Sequence, residues 1–318
     1  MTAVMINLIR RFRIAYSIYN FFQKKDLIHN EVLYKKIGLN KKYYSSISSK
    51  DFKHINEKIL IPAHVPASIY STGFFNALSA ENKESILHFE ENGYAIINNF
   101  LSGEKTDEVN EIIETLLKTR EIKFTNVNKL MFAIHHSNLL RQIGESNALL
   151  EILSVLLQGS PLLFQSINFK TGSEQHTHSD SIHMTTFPLG GLLGLWIALD
   201  DITPENGPLH YYPGSHKLPY YLNADYDNEG SALFHGSKSY KSYEEMISKK
   251  IIEKQLEKKI FYAKKGDALI WHANLFHGGE PHTDKTKTRR SMVFHYFRKE
   301  SICYHEITQR PALLKHFD

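Results

Sequence analysis

The sequence predicts an α+β chain in which helices come first and a mainly β core, closed as a barrel or sandwich, comes after them. Three observations predict it. As far as Leu157 the apolar residues recur at helical spacing; after Pro161 they come in short runs rich in aromatic and β-branched side chains; and turn residues separate those runs. With 318 residues, 42% hydrophobic and 23% charged, the chain is long enough to bury a sizeable core.

Met5, Leu8, Ile9, Phe12, Ala15, Tyr16, Tyr19 and Phe22 follow a helical period, which predicts a helix over residues 3–23, and Ile6, Ile14, Ile18 and Phe21 widen its apolar face. Such a helix fits packing on the main domain or on a second subunit of a homo-oligomer. Being basic, it also fits peripheral membrane contact through residues 3–23. Residues 1–60 hold 12 Lys+Arg against 4 Asp+Glu, a local +8 that leaves −4 on the rest of a chain whose net charge is +4. The basic character therefore belongs to the extension and forms no stripe on the folded body, so no nucleic-acid partner is expected.

Residues 45–75, rich in Ser and containing Pro62 and Pro66, read as an irregular linker. The chain is accordingly divided into a basic helical extension over 1–75 and one domain over 76–318. A helix is expected over 80–92, stopped by Gly93, then a strand over 94–97. Val109, Ile112, Ile113, Leu116 and Leu117 mark an amphipathic helix, and residues 147–157 another. Strands are expected over 162–169, 182–187, 193–199, 208–212, 260–262, 268–272 and 291–297. Residues 218–258, an insertion between strands rich in Tyr and charge, are expected to cover the mouth of a site, with Tyr220, Tyr221, Tyr226, Phe234 and His235 as lid contacts.

One cysteine, Cys303, excludes an intramolecular disulfide and fits a reducing, cytoplasmic setting. The apolar N-terminus is interrupted by Arg10, Arg11 and Arg13 with no small-residue cleavage site after them, the wrong order for a secretory signal.

The chemistry is carried by His178-Ser179-Asp180 and, far downstream, His277. Two histidines and one carboxylate are the ligand set that holds Fe(II) on one face and leaves the opposite face open. Alternation along a strand would point His178 and Asp180 the same way. Arg289, a short hairpin beyond His277, has the right chemistry to clamp a carboxylate co-substrate through its planar fork. Among 18 histidines a lone His-x-Asp pair is weak evidence, and its surroundings decide its value. His176, His183 and His272 read as core or outer residues, His135-His136 as loop or helix surface, and Trp196 as barrel core.

Those surroundings are Glu91-Asn92-Gly93-Tyr94, His178-Ser179-Asp180-Ser181-Ile182-His183, Leu195-Trp196-Ile197-Ala198-Leu199-Asp200-Asp201, Glu205-Asn206-Gly207-Pro208-Leu209, Pro213-Gly214-Ser215-His216-Lys217, Lys265-Gly266-Asp267, His277-Gly278-Gly279 and Thr288-Arg289-Arg290-Ser291. In this order they resemble the phytanoyl-CoA dioxygenase family of Fe(II)/2-oxoglutarate-dependent oxygenases, over about residues 84–300. The resemblance implies a double-stranded β-helix (jelly-roll, cupin-like) with flanking helices. It implies His178, Asp180 and His277 as iron ligands, Arg289 (or, one register on, Arg290) as the 2-oxoglutarate clamp, and Gln165 as a residue facing the co-substrate. It also implies Fe(II), 2-oxoglutarate and O₂ as cofactor and co-substrates, with hydroxylation of an aliphatic C–H of a small-molecule or acyl- or lipid-linked substrate as the reaction.

The chain departs from the pattern at Gly279, where members often carry a serine that helps hold the co-substrate carboxylate; Ser291, a tyrosine or a water is expected to take the place of that hydroxyl. Asp180 is intact, which speaks against halogenation. Two other readings keep the ligand set: a cupin-type metal enzyme with no use for Arg289, and a non-catalytic binding protein of the same fold.

Overall fold

A computed structural model describes residues 12–55, 59–125, 127–231 and 233–315. The upstream part of the helix expected over 3–23 lies outside the described residues. Its described part is α1 (Arg13–Phe22), followed by α2 (His29–Lys36), α3 (Gly73–Ala77), α4 (Ala80–Leu87) and α5 (Phe89–Asn92). Gly93, at φ +79°, stops the α4–α5 run as expected, and β1 (Tyr94–Ile97) follows. Ser102 Oγ accepts from the Lys105 N–H and caps α6 (Gly103–Lys118). After β2 (Leu130–Met131) come α7 (Asn138–Gly144) and α8 (Asn147–Leu157).

The β core is formed by β3 (Pro161–Phe169), β4 (Thr185–Phe187), β5 (Leu192–Ala198), β6 (Leu209–Tyr211), β7 (Lys259–Phe261), β8 (Ala268–His272), β9 (His277–Gly279), β10 (Ser291–Arg298), β11 (Ile302–His305) and β12 (Arg310–Pro311). One helix, α9 (Tyr240–Glu253), lies in the 218–258 insertion. The strands form a six-stranded sheet, β1-β8-β5-β10-β3-β2, and two three-stranded sheets, β7-β6-β9 and β12-β11-β4, and neighbouring strands in all three are antiparallel.

Strand parity assigns the two faces of the large sheet. Leu193, Leu195 and Ile197 of β5 and Met292, Phe294 and Tyr296 of β10 pack with Val109, Ile113 and Leu116 of α6 and Leu149, Ile152, Leu153 and Leu156 of α8. The alternate residues Trp196, Leu269, Trp271 and Val293 face inward and meet Leu209, Tyr211 and Phe261 of the small sheet. Two facing sheets with helices on one outer face are the architecture expected of a jelly-roll. Arg289, two residues ahead of Ser291 in the β10 register, shares the inward parity of Ser291, Val293 and His295.

Two local expectations are corrected. His178 and Asp180 do not lie on a continuous strand. His178 forms a single bridge to His277, with each N–H donating to the other's carbonyl at 2.9 Å, and Asp180 opens a 3₁₀ turn, Asp180–Ile182. The turn is held by Asp180 O, which accepts from His183 N at 2.9 Å and Met184 N at 2.7 Å, so the strand expected from Ile182 begins only at Thr185.

The residues named as lid contacts do not line the metal cavity. Tyr220 packs near His272 and Tyr221 near Phe276; Tyr226 bonds Asn223 and Asn228; Phe234 and His235 pack on Phe12 and Tyr16. The insertion reaches the centre through α9 instead. Tyr240 Oη lies 3.0 Å from His183 Nε2, and Tyr243 Oη lies 3.0 Å from Ser179 Oγ.

α1 docks on this insertion through Phe12, Tyr16 and the Arg13 N–H, which donates to Leu233 O. Its outer face leaves Ile14, Ile18, Phe21 and Phe22 exposed. Tyr34, Ile47 and Phe52 of the extension pack on the third sheet, where Phe52 stacks on Phe187 with ring centroids 4.2 Å apart, whereas Ile69 and Phe75 join the core with α8. No helix among the described residues is long and apolar enough to cross a membrane.

Candidate metal centre

His178, Asp180 and His277 are each buried, and one ligand atom from each lies within 4.8 Å of the others, close enough for one ion. His277 leads β9 and His178 is its bridge partner, so the two histidines are brought together by backbone pairing alone. Asp180 Oδ1 lies 3.8 Å from His178 Nε2 and 3.8 Å from His277 Nε2.

The tautomers suit a metal. His178 Nδ1 is 2.9 Å from His176 O and His277 Nδ1 is 3.0 Å from Leu275 O, so each Nδ1 carries the proton and each Nε2 keeps a lone pair for an ion. Gln175 Nε2 stands 3.2 Å from His178 Nε2, a donor's place opposite that lone pair.

The carboxylate is oriented from behind. Trp271 Nε1 donates to Asp180 Oδ2 at 2.8 Å and His295 Nε2 lies 3.5 Å from the same oxygen, which leaves Oδ1 for the metal. Burial pushes the Asp180 carboxyl up, but His277, then His295 and His178, outweigh it and the net displacement is downward. Burial, reinforced by His277, holds His178 well below the usual imidazole range, in the neutral form a metal requires. Gly194 on β5 faces Trp271 in register, and a Cβ there would overlap the indole; the glycine is what allows Trp271 to lie against the sheet.

These ligands share a cavity of about 370 Å³ with Arg289, Trp196, Gln165, Ser173, Gln175, Lys129 and His295. Arg289 is 2% exposed, with its guanidinium 5.1 Å above the Trp196 ring, so Trp196 is cavity wall as well as core. Nη1 donates to Ser291 Oγ at 3.0 Å and Nε has no partner. Burial lowers its pKa to about 10. Lys129 is also held down by burial, and its Nζ donates to Gln175 Oε1 at 3.0 Å. Asp180 is the one carboxylate in this lining, and it is turned to the ligand site. Against it stand Lys129, Arg289 and Arg310, with no other carboxylate lining the cavity among the described residues; these are the electrostatics of a pocket for a small anion.

A family model described as phytanoyl-CoA dioxygenase (PhyH) matches residues 89–291, the stretch that holds His178, Asp180, His277 and Arg289, with His295 just beyond it. The chain belongs to the phytanoyl-CoA dioxygenase family. It is 28% identical over 187 residues to a zebrafish (Danio rerio) protein named phytanoyl-CoA dioxygenase domain-containing protein 1, covering 56% of this chain and 60% of that one. It is 26% identical over 253 residues to an ectoine dioxygenase of Halomonas elongata, covering 72% and 74%. The matches thus span about three fifths of the zebrafish relative and three quarters of the ectoine dioxygenase. Among solved structures, a non-haem α-ketoglutarate-dependent carbocyclase of nogalamycin biosynthesis superposes with TM-score 0.59 at 17% identity, over 78% of this chain and 97% of that one. EctD from S. alaskensis, with 2-oxoglutarate and 5-hydroxyectoine bound, gives 0.53 at 18% identity, over 77% and 85%. The fold is the double-stranded β-helix of Fe/2-oxoglutarate oxygenases.

In this member of the phytanoyl-CoA dioxygenase family the expected residues fall as follows. Gln165 lines the cavity; Ser291 is fully buried and bonds Arg289 without lining it; Arg290 points the other way, its N–H on Asp200 and its side chain beside Glu114 and α6. His176 gives only its carbonyl, and His183 lines the cavity but bonds Tyr240. His272 is buried beside His216, with burial pushing it down to about 3.

At the departure from the family pattern, a Cβ on Gly279 would stand 2.7 Å from Ser173 Oγ, and Ser173 lines the cavity. Sequence reasoning missed Trp271, His295, Lys129 and Ser173. The parity of β8 and β10 was the signal that could have found the first two.

Proposed function

We propose that the chain is an Fe(II)- and 2-oxoglutarate-dependent dioxygenase that hydroxylates an aliphatic C–H of a small-molecule or acyl- or lipid-linked substrate. The observation that carries the reading is Arg289, a guanidinium removed from water, without a carboxylate partner, in the cavity of the His/Asp/His set. A buried charge left unpaired costs on the order of several kcal/mol, so such a site is built for an anion. A cupin-type enzyme without a co-substrate has no use for it.

The donor set fits Fe(II): two imidazoles with Nε2 free and one carboxylate, with no fourth protein ligand among the described residues. When bound, the metal supplies dioxygen activation coupled to decarboxylation of the 2-oxo acid. The chain's own work is binding and orientation. His178 and His277 present Nε2, and Asp180 presents Oδ1 because Trp271 and His295 hold Oδ2. Arg289, steadied by Ser291 and Trp196, takes the distal carboxylate, and Lys129 adds a second positive charge. Ser173 supplies the hydroxyl that Gly279 lacks. Met131, Phe132, Ile167 and Met184 keep the substrate side poor in water.

Succinate release tests the reading. Anaerobically purified full-length chain is loaded with Fe(II), given 2-oxoglutarate, ascorbate and O₂, and compared with Asp180→Ala. Succinate formed by the wild type and absent from the variant is the expected result; equal release from both would remove the assignment of the centre.

A further inference from the structure

The metal cavity continues past Gln165 and Met184 into a second chamber of about 300 Å³. Phe132, Gln165, His183, Met184, His305 and Arg310 line both. α1 closes the outer chamber on one side through Tyr19 and Asn20, and the segment after β12 closes it on the other. Of the residues common to both, Phe132 and Met184 offer an apolar wall beside the polar Gln165, His183, His305 and Arg310, and Phe164 and Leu313 add apolar surface to the outer chamber.

The charge of the outer chamber is one-sided. Arg310 and Lys315 line it, and no Asp or Glu does among the described residues. The Arg310 guanidinium lies 5.1 Å from the centre of the Tyr16 ring and makes one hydrogen bond, from Nε to Thr308 Oγ1 at 3.2 Å. Its terminal nitrogens are left without an acceptor among the described residues. Asn20, only 1% exposed, lines the same space, and its Nδ2 has no partner. A buried donor without an acceptor is costly. In the same chamber as a cation with no acidic partner among the described residues, it calls for an anionic oxygen.

We propose that the outer chamber binds an anionic group, a carboxylate or a phosphate ester, at one end of an elongated substrate. Arg310 is its counter-ion, Asn20 a hydrogen-bond donor to it and Lys315 a charge at the mouth. The apolar body then runs past Phe132 and Met184, and the C–H offered at the metal is remote from the charged end. That the ligand is the substrate rests on the oxygenase reading; the anion site stands on its own geometry.

Calorimetry on the full-length chain tests it, with Fe(II) and 2-oxoglutarate under anaerobic conditions and again without metal. The probes are hexanoate, decanoate and tetradecanoate, the matching alkyl phosphates and the matching primary alcohols, each below its critical micelle concentration. At the best-fitting length an anion should bind about tenfold or more tightly than its alcohol, and the better anion tells carboxylate from phosphate. Arg310→Gln should erase that preference while leaving the alcohol unchanged, and Arg310→Lys, with thermal unfolding followed to confirm that α1 stays docked, should keep most of it. Asn20→Ala should weaken the anion alone. Alcohols binding as tightly as anions at every length, no anion binding at any length, or a preference that survives Arg310→Gln would each overturn the proposal. 2-Oxoglutarate binding, measured in the same samples, separates the two claims. If it is retained without an anion preference, only the anion site falls; an anion preference without it removes the oxygenase reading alone.

Discussion

The indole of Trp271 donates from Nε1 to Asp180 Oδ2 across 2.8 Å and, with His295 Nε2 at 3.5 Å from the same oxygen, leaves Oδ1 turned to the two histidines. Trp271 sits mid-strand in β8 with 3% exposure, so its position is set by the sheet and not by a loop. Trp271→Phe keeps the ring and deletes the donor. Loss of a bond that orients a metal ligand typically costs about 10–100-fold in metal affinity. Fe(II) or Co(II) titration should show a rise in Kd of that order with an unchanged circular dichroism spectrum. An unchanged Kd would mean that the bond does not orient Asp180.

The room for that indole comes from Gly194. Gly194→Ala places a methyl group where the Trp271 ring lies. Overpacking of this kind costs about 1–3 kcal/mol, and here it should also disturb Asp180. A lower urea midpoint accompanied by weaker metal binding is expected. A stability loss with full metal affinity would show that the sheet absorbs the methyl group without moving the indole.

Arg289 and Arg290 are neighbours with opposite fates: one is buried beneath the metal cavity, the other bonds Asp200 and faces α6. Arg289→Gln should weaken 2-oxoglutarate binding by roughly 100-fold, in the range for truncating one partner of a buried charge pair. Arg290→Gln should change it by less than about threefold. Equal effects of the two variants would contradict the register described for β10.

Much of this was legible in the sequence. Residues 268–272 and 291–297 are short runs rich in aromatic and aliphatic side chains, the first of them following the turn Gly266-Asp267, so β8 and β10 were expected almost to the residue, and Gly93 announced the end of α5. The metal triad was legible because its residue types and order are chemically specific. The turn at Asp180–Ile182 was not, because His178-Ser179-Asp180 has the alternation of a strand and nothing local reveals that Asp180 O gathers the N–H groups of His183 and Met184. Nor was β9, whose Gly278-Gly279 has no strand propensity and which exists because His277, Gly278 and Gly279 pair with Tyr211, His210 and Leu209 of β6. The helix α9 was hidden among charged residues, its buried side being only Tyr243 and Ile247. Lys129 has no periodic context at all, and only the closed cavity distinguishes it from a surface lysine.

Acid should destabilise the metal-free chain in a defined window. Burial holds His272 and His305 down to about 3 in the folded state, against about 6.5 unfolded. Above pH 6.5 both states are neutral and neither histidine makes stability depend on pH. Below it the unfolded chain binds more protons, so stability falls with pH as far as about 3, by up to about 1.4 kcal/mol per pH unit for each histidine. Urea unfolding at pH 8, 7, 6 and 5 should give a level midpoint that then drops. A midpoint flat down to pH 5 would contradict the buried neutral assignment.

The central claim is that metal and 2-oxoglutarate occupy one cavity, the acid held between the His178/Asp180/His277 centre and Arg289. Anaerobic calorimetry of 2-oxoglutarate into the Fe(II)-loaded chain, the metal-free chain and Fe(II)-loaded Arg289→Gln tests it directly. Tight binding that needs both the metal and the guanidinium is the predicted result. No binding to the loaded chain, or binding indifferent to both metal and Arg289, would contradict it.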